Sequence, residues 1–89
     1  MQLAVSKKTM QLDILTPEKK VYSGEASSVT LPGTEGSFQV LNHHAPLISS
    51  LKAGVVKFRT AAGETRVNTK EGFVEVLKNT VTVLVEGAE

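Results

Sequence analysis

Apolar and polar residues alternate with a period of two through almost the whole chain, and this pattern narrows the possible folds more than any other feature. In Met10 to Ile14, Met10, Leu12 and Ile14 fall on one side and Gln11 and Asp13 on the other. Ser27 to Leu31 sets Val29 and Leu31 against Ser28 and Thr30, and Ser37 to Leu41 turns Phe38 and Val40 inward. Gly54 to Thr60 alternates Val56 and Phe58 with Lys57 and Arg59. Gly72 to Leu77 and Thr80 to Glu86 form a last hairpin, with Lys78-Asn79 at its tip and Val81, Val83 and Val85 inward. Successive side chains of a strand leave opposite faces, so each run buries one face and wets the other. Shorter strands are expected at Lys20 to Ser23, ended by Gly24, and at Glu64 to Thr69. Turn signals separate the runs: Thr16-Pro17-Glu18, where proline lacks a ladder donor, a loop from Pro32 to Gly36, and Ala61-Ala62-Gly63. Short strands with turns between them predict a sandwich or a barrel.

Composition points the same way. Twelve Val, nine Thr and two Ile outnumber seven Ala and nine Leu, and branching at Cβ suits a pleated surface better than a helix. One segment reads two ways. Pro46 to Ala53 has Leu47, Ile48 and Leu51 at helical spacing, with proline at its start and Gly54 at its end, so a two-turn helix and a bent strand are equally expected. At 89 residues there is room for one domain. Ten Lys+Arg against nine Asp+Glu give a net charge of +1, which argues against a polybasic nucleic-acid clamp and an acidic tail. Zero Cys excludes disulfides, thiolate zinc sites and cysteine nucleophiles. No apolar run reaches the roughly 20 residues of a membrane-spanning helix. Lys7 and Lys8 are not followed by a signal-peptide stretch, so residues 1–9 are expected to be an arm before the domain at 10–89.

Chemistry is hard to find. His43 and His44 are adjacent, so on a strand they point to opposite faces and cannot share an ion. A loop pair, one hydrogen-bonded and one exposed, is the favoured reading, and no metal or other cofactor is expected. Ser49 and Ser50 lie close to the histidines but lack a nucleophile elbow. Gly33-Thr34-Glu35-Gly36 could suggest a phosphate loop, yet a strand follows it and Glu35 would repel an anion, so it reads as a turn. Four aromatics, Tyr22, Phe38, Phe58 and Phe73, look better placed in the core than as a stacking surface for nucleic acid.

A connected series of segments survives. Leu12-Asp13-Ile14-Leu15-Thr16-Pro17-Glu18 opens it. Leu31-Pro32-Gly33-Thr34-Glu35-Gly36 and Phe38-Gln39-Val40-Leu41 follow, then His44-Ala45-Pro46-Leu47 with Leu51 and Gly54. Gly72-Phe73-Val74-Glu75-Val76 and Asn79-Thr80-Val81-Thr82-Val83-Leu84 complete it. In this order and spacing, from Met10 to Glu89, the chain resembles the N-terminal domain of the epsilon subunit of the rotary F-type ATP synthase.

The resemblance implies an all-β fold, a flattened ten-stranded β-sandwich of two five-stranded sheets, in which the ambiguous segment is β-like and irregular. It implies a non-catalytic place at the foot of the central stalk, joining the gamma subunit to the membrane c-ring and so coupling proton flow to ATP synthesis. Thr16, His44 and Ser49 match positions of gamma contact; Gly33, Thr34, Glu35, Gly36 and Ser37 match the part that touches the ring. For His44, a local hydrogen bond fixing the Ala45-Pro46 bend is an equal expectation, and for Glu35 a plain solvated turn. Leu41, Leu47 and Ile48 cannot all face inward on one strand, so at least one is expected in an apolar patch facing gamma. Val29, Phe38, Val56, Phe58, Val74, Val76, Val81 and Val83 are assigned to the core. The implied setting is the cytoplasmic side of a bacterial inner membrane, with membrane association only through the complex and a monomer when isolated. Members of the family commonly continue into a two-helix hairpin that binds ATP or inhibits; a chain ending at Glu89 is expected to be a short form or an excised domain without either property. A free-standing β-sandwich that binds a small ligand such as a carbohydrate is the alternative, and it predicts a concave, aromatic-lined pocket.

Overall fold

A computed structural model of the chain describes residues 9–89; the expected arm at residues 1–9, Thr9 excepted, lies outside them. The described residues form nine strands: β1 (Met10–Leu15), β2 (Lys20–Ala26), β3 (Ser28–Gly33), β4 (Gly36–Leu41), β5 (Leu47–Leu51), β6 (Gly54–Thr60), β7 (Gly63–Thr69), β8 (Gly72–Leu77) and β9 (Thr80–Val85). Hydrogen-bonded neighbours follow the order β2-β1-β9-β8-β5-β3-β6-β7, with β4 on the other flank of β3. Every ladder is antiparallel except β1 with β9, the first and last strands, which run parallel from Gln11↔Thr80 to Leu15↔Leu84.

The path is continuous but weak at one place. β3 and β5 share a single residue pair, Gly33↔Leu51, whereas β5 pairs with β8 over five residues and β6 with β7 over seven. The chain bends between Leu51 and Gly54, carrying β5 into one half-sheet (β2-β1-β9-β8-β5) and β6 into the other (β4-β3-β6-β7). Among the described residues the nine strands run as one curled sheet made of these two half-sheets. The bridge at Gly33↔Leu51, backed by Lys52 N–H to Pro32 O at 2.9 Å and Thr34 N–H to Ser50 O at 3.1 Å, joins what would otherwise be two layers.

Parity explains the core. Leu12, Ile14, Val29, Leu31, Val40, Val56, Phe58, Val74, Val76, Val81, Val83 and Val85 are buried, as the alternation predicts, and Ala26, Leu51 and Val67 join them. Phe38 is only half-buried against this cluster. Tyr22 of β2 meets Phe58 of β6 with ring centroids 4.6 Å apart, a tilted contact between the two half-sheets. Phe73 departs from expectation and is exposed. Its neighbours Val74 and Val76 face inward, so the pleat turns Phe73, Glu75 and Leu77 outward. The expected stop at Gly24 does not occur. β2 continues to Ala26 because its ladder with β1 runs on through Leu12↔Gly24 to Met10↔Ala26, while Tyr22 lies over Gly24 and its hydroxyl donates to the Glu25 carbonyl at 3.0 Å. The ambiguous segment is a strand: Leu47 to Leu51 pair residue by residue with β8, and Pro46 precedes the ladder, where a missing N–H costs nothing.

Candidate functional site

Cross-strand register lays the outer face of the first half-sheet out in rows. Ser50, Phe73, Leu84 and Leu15 form one; Ile48, Glu75, Thr82, Asp13 and Ser23 form the next. Ile48 is 73% exposed and Phe73 48%, with Leu77 and Leu84 exposed beside them and Leu41 exposed at the end of β4. A shallow hollow of about 370 Å³ runs between Leu15, Thr16, Pro17, Phe73 and Leu84. At the β1–β2 side of this face the polar groups bond one another: the Asp13 carboxylate accepts from the Ser23 hydroxyl at 2.6 Å and from Gln11 Nε2 at 3.1 Å. Apolar side chains left in water beside such polar groups have the make-up of a protein-binding surface.

The outer face of the other half-sheet is different. Lys57 lies opposite Arg66 and Arg59 opposite Glu64. The Glu64 carboxylate meets Arg66 at 3.1 Å and Arg59 at 3.6 Å. Charged side chains dominate this face, with Val55 the exposed apolar residue on β6, and such exposed pairs add little stability.

The predicted contact residues do not form one cluster. Thr16 stands at the Leu15–Leu84 end of the first half-sheet and closes the β1–β2 turn. Its Oγ1 accepts from the N–H groups of Glu18 and Lys19 at 3.3 and 3.1 Å and donates to Lys19 O at 3.2 Å. The Gly33-to-Ser37 segment lies at the same end and is much tighter than the expected loop: Gly33 pairs with Gly36, leaving Thr34-Glu35 as a two-residue tip. Residues 34 to 37 are exposed, and the Thr34 hydroxyl meets that of Ser50 at 2.9 Å.

His44 occupies the opposite end, in the bend from β4 to β5. Its N–H donates to Leu41 O at 3.1 Å, and its Nδ1–H donates to Ala45 O at 2.7 Å, the local bond expected at this bend. The ring is exposed. His43, with φ of 64°, donates its N–H to Asn79 Oδ1 at 2.8 Å. Ser49 is half-buried on the inner side of β5 with Leu47 and Leu51, and its hydroxyl donates to Ser50 O at 3.3 Å. On β5 the outward residues are Ile48 and Ser50.

Sequence reasoning therefore missed Phe73, Leu77 and Leu84 as surface residues. Their signal was present in parity, since each alternates with a core valine. Among the described residues no group of three or more His, Cys, Asp or Glu could hold a metal. A hollow of about 480 Å³ beside Thr9, Glu25, Ser27, Arg59 and Thr60 has no aromatic lining, which gives the small-ligand alternative no support there.

Comparison with known proteins agrees with this architecture. Residues 9–89 match the family described as ATP synthase, delta/epsilon chain, beta-sandwich domain. The ATP synthase epsilon chain of Pelotomaculum thermopropionicum is 45% identical over 85 residues, covering 96% of this chain and 63% of that one. That of Desulfatibacillum aliphaticivorans is 47% identical over 79 residues, covering 88% and 56%. A chain of the Euglena gracilis mitochondrial ATP synthase, solved as OSCP/F1/c-ring, superposes with a TM-score of 0.87 over 97% of this chain and 56% of its own, at 17% identity, a likeness of fold. The present chain thus spans about three fifths of the length of these relatives. With that match across residues 9–89 and identities above 40% over most of its length, the chain belongs to the ATP synthase delta/epsilon family and carries its β-sandwich domain.

Proposed function

We propose that this domain is a non-catalytic rotor piece that joins the gamma shaft to the c-ring of a proton-translocating F-type ATP synthase, so that ring rotation turns the shaft. The observation that carries this reading is the outer face of the first half-sheet. Its exposed Ile48, Phe73, Leu77 and Leu84 form an apolar surface suited to a permanent protein neighbour, and at one end of it projects the solvated Thr34-Glu35 tip. The Euglena neighbour comes from an assembly that contains a c-ring, which supports the choice of partners. In this reading Thr16 and His44 mark the two ends of a strip along gamma, with Ile48 between them and Ser49 beneath, holding β5 in place. Gly33, Thr34, Glu35, Gly36 and Ser37 meet the polar loops of the ring. The setting is peripheral, on the cytoplasmic side of a bacterial inner membrane, and the isolated domain, residues 10–89, is a monomer.

The finer architecture of the family, ten strands in two five-stranded sheets, is part of the same proposal. Lys70 N–H donates to Gly87 O at 2.9 Å, and Asn68 and Glu89 exchange two bonds at 2.9 and 3.1 Å. With the Thr69↔Ala88 bridge, these support a tenth strand on the free side of β7.

Ile48→Arg tests the reading. An unpaired guanidinium desolvated in an apolar contact costs about 2–5 kcal/mol, so affinity for a gamma-containing stalk complex is expected to fall roughly 30-fold or more. Thermal stability stays unchanged, because Ile48 is exposed. Unaltered affinity in titration calorimetry would remove this face from the interface.

A further inference from the structure

We infer that Asn79 is a positioning residue for the His44 bend, holding the β4–β5 connection in the shape that the proposed shaft contact needs; this inference rests on the reading above. The β8–β9 turn, Lys78-Asn79, has φ of 51° and 60° at its two residues, and Leu77↔Thr80 closes it. A turn of this kind requires positive φ at both positions, which glycine supplies as readily as asparagine. The turn itself therefore makes no use of the Asn79 side chain.

That side chain is nevertheless fully engaged, and its bonds leave the hairpin. Oδ1 accepts the His43 N–H at 2.8 Å, while Nδ2 donates to Asn42 Oδ1 and to Thr9 O, each at 3.1 Å. The Asn79 backbone carbonyl accepts the Gln11 N–H at 3.1 Å. One residue thus ties three separate segments together: the entry to β1, the hairpin tip, and the bend that crosses from one half-sheet to the other. Only a primary amide offers an acceptor and two donors from so short a side chain.

The bend needs such a support. His43 adopts a left-handed conformation that non-glycine residues seldom take, and its N–H would otherwise face solvent at the rim. Holding that N–H fixes the direction in which the chain leaves Asn42. That direction sets where the His44 ring and the start of β5, with Ile48 two residues beyond Pro46, are presented. Asn79 acts through His43, whose N–H it holds.

The test compares Asn79→Gly with His44→Ala in the whole protein. Asn79→Gly keeps the turn and removes only the side-chain bonds. Exchange of the His43 amide is expected to accelerate roughly 5-fold or more, with the amides of Val74 and Val81 unchanged, and Kd for an epsilon-depleted synthase is expected to rise several-fold. Asn42→Ala, which leaves the turn untouched, should produce the same two changes at smaller size. An unchanged His43 amide in Asn79→Gly overturns the inference. So does faster exchange with unaltered Kd when His44→Ala raises Kd, because the bend would then matter and its support would not. If neither variant alters Kd, the shaft contact at this bend falls as well, and the inference with it.

Discussion

Among the hairpins that end in two-residue tips, β3–β4 and β8–β9 are built on opposite plans. The β3–β4 tip, Thr34-Glu35, projects into solvent and is held by two contacts to Ser50, one from the Thr34 N–H and one from its hydroxyl. The β8–β9 tip, Lys78-Asn79, is folded back onto the body by the Asn79 amide. At the first tip Glu35 can change without loss of a contact to the body; at the second Asn79 cannot. A projecting tip is thus available for contact with a partner, while a clasped one spends its side chain on internal order. The two hairpins also differ in how a glycine constrains them. Gly72, at the open end of β8, lies so close to β9 that an added Cβ would stand 2.0 Å from Leu84 O and 2.7 Å from Val85 Cα. At Gly36 the space is empty, and the constraint is a φ of +132°.

Gly72→Ala should break the comparison most severely. Both colliding atoms are backbone, so the β8–β9 ladder must shift, at a cost of about 3 kcal/mol or more. For a domain of this size that corresponds to a melting temperature lower by roughly 12 °C or more in calorimetry. Next comes Gly36→Ala, where only conformational strain is added; about 2 kcal/mol is expected, read in the same experiment as a smaller shift. If the two variants melted together, packing and backbone strain would not divide the hairpins as described. The smallest structural effect belongs to Glu35→Lys. Stability should move by less than about 0.5 kcal/mol, while binding to an isolated c-ring changes in affinity and salt dependence. An unaltered salt dependence would show that the projecting tip makes no charged contact.

Much of this was legible in the residues. Alternation of Val74 and Val76 with Phe73, Glu75 and Leu77 contains both the core and the exposed face, because a pleat has only two sides. Phe73 was misjudged by residue type: aromatics are usually buried, and parity was the better guide. The two-residue tip at Thr34-Glu35 was read as a longer loop because Pro32 looked like a breaker, yet Pro32 pairs with Ser37 inside the ladder. Proline is tolerated there because the two chains flanking β3 divide its length, β6 covering Ser28 to Thr30 and the end of β5 meeting Gly33. The role of Asn79 was not legible. Its partners Thr9 and Asn42 are distant in sequence, and no local pattern encodes a bond that depends on a finished fold. Nor could Ser49 be placed, since the strand that turns it inward was itself in question.

The parallel pairing of β1 with β9 also determines the order in which the domain can be completed. Residues about 70 positions apart must meet before the half-sheet closes, and such distant pairings slow folding because chain entropy is lost before contacts repay it. The β1–β2 hairpin can form early, but its inner flank stays unsatisfied until Thr80 to Leu84 have been synthesised. During translation the emerging chain therefore carries an open strand edge and an unburied row of Leu12 and Ile14. Closure of this half-sheet therefore waits on Thr80 to Leu84, which makes the β1–β9 pairing an expected late step of folding.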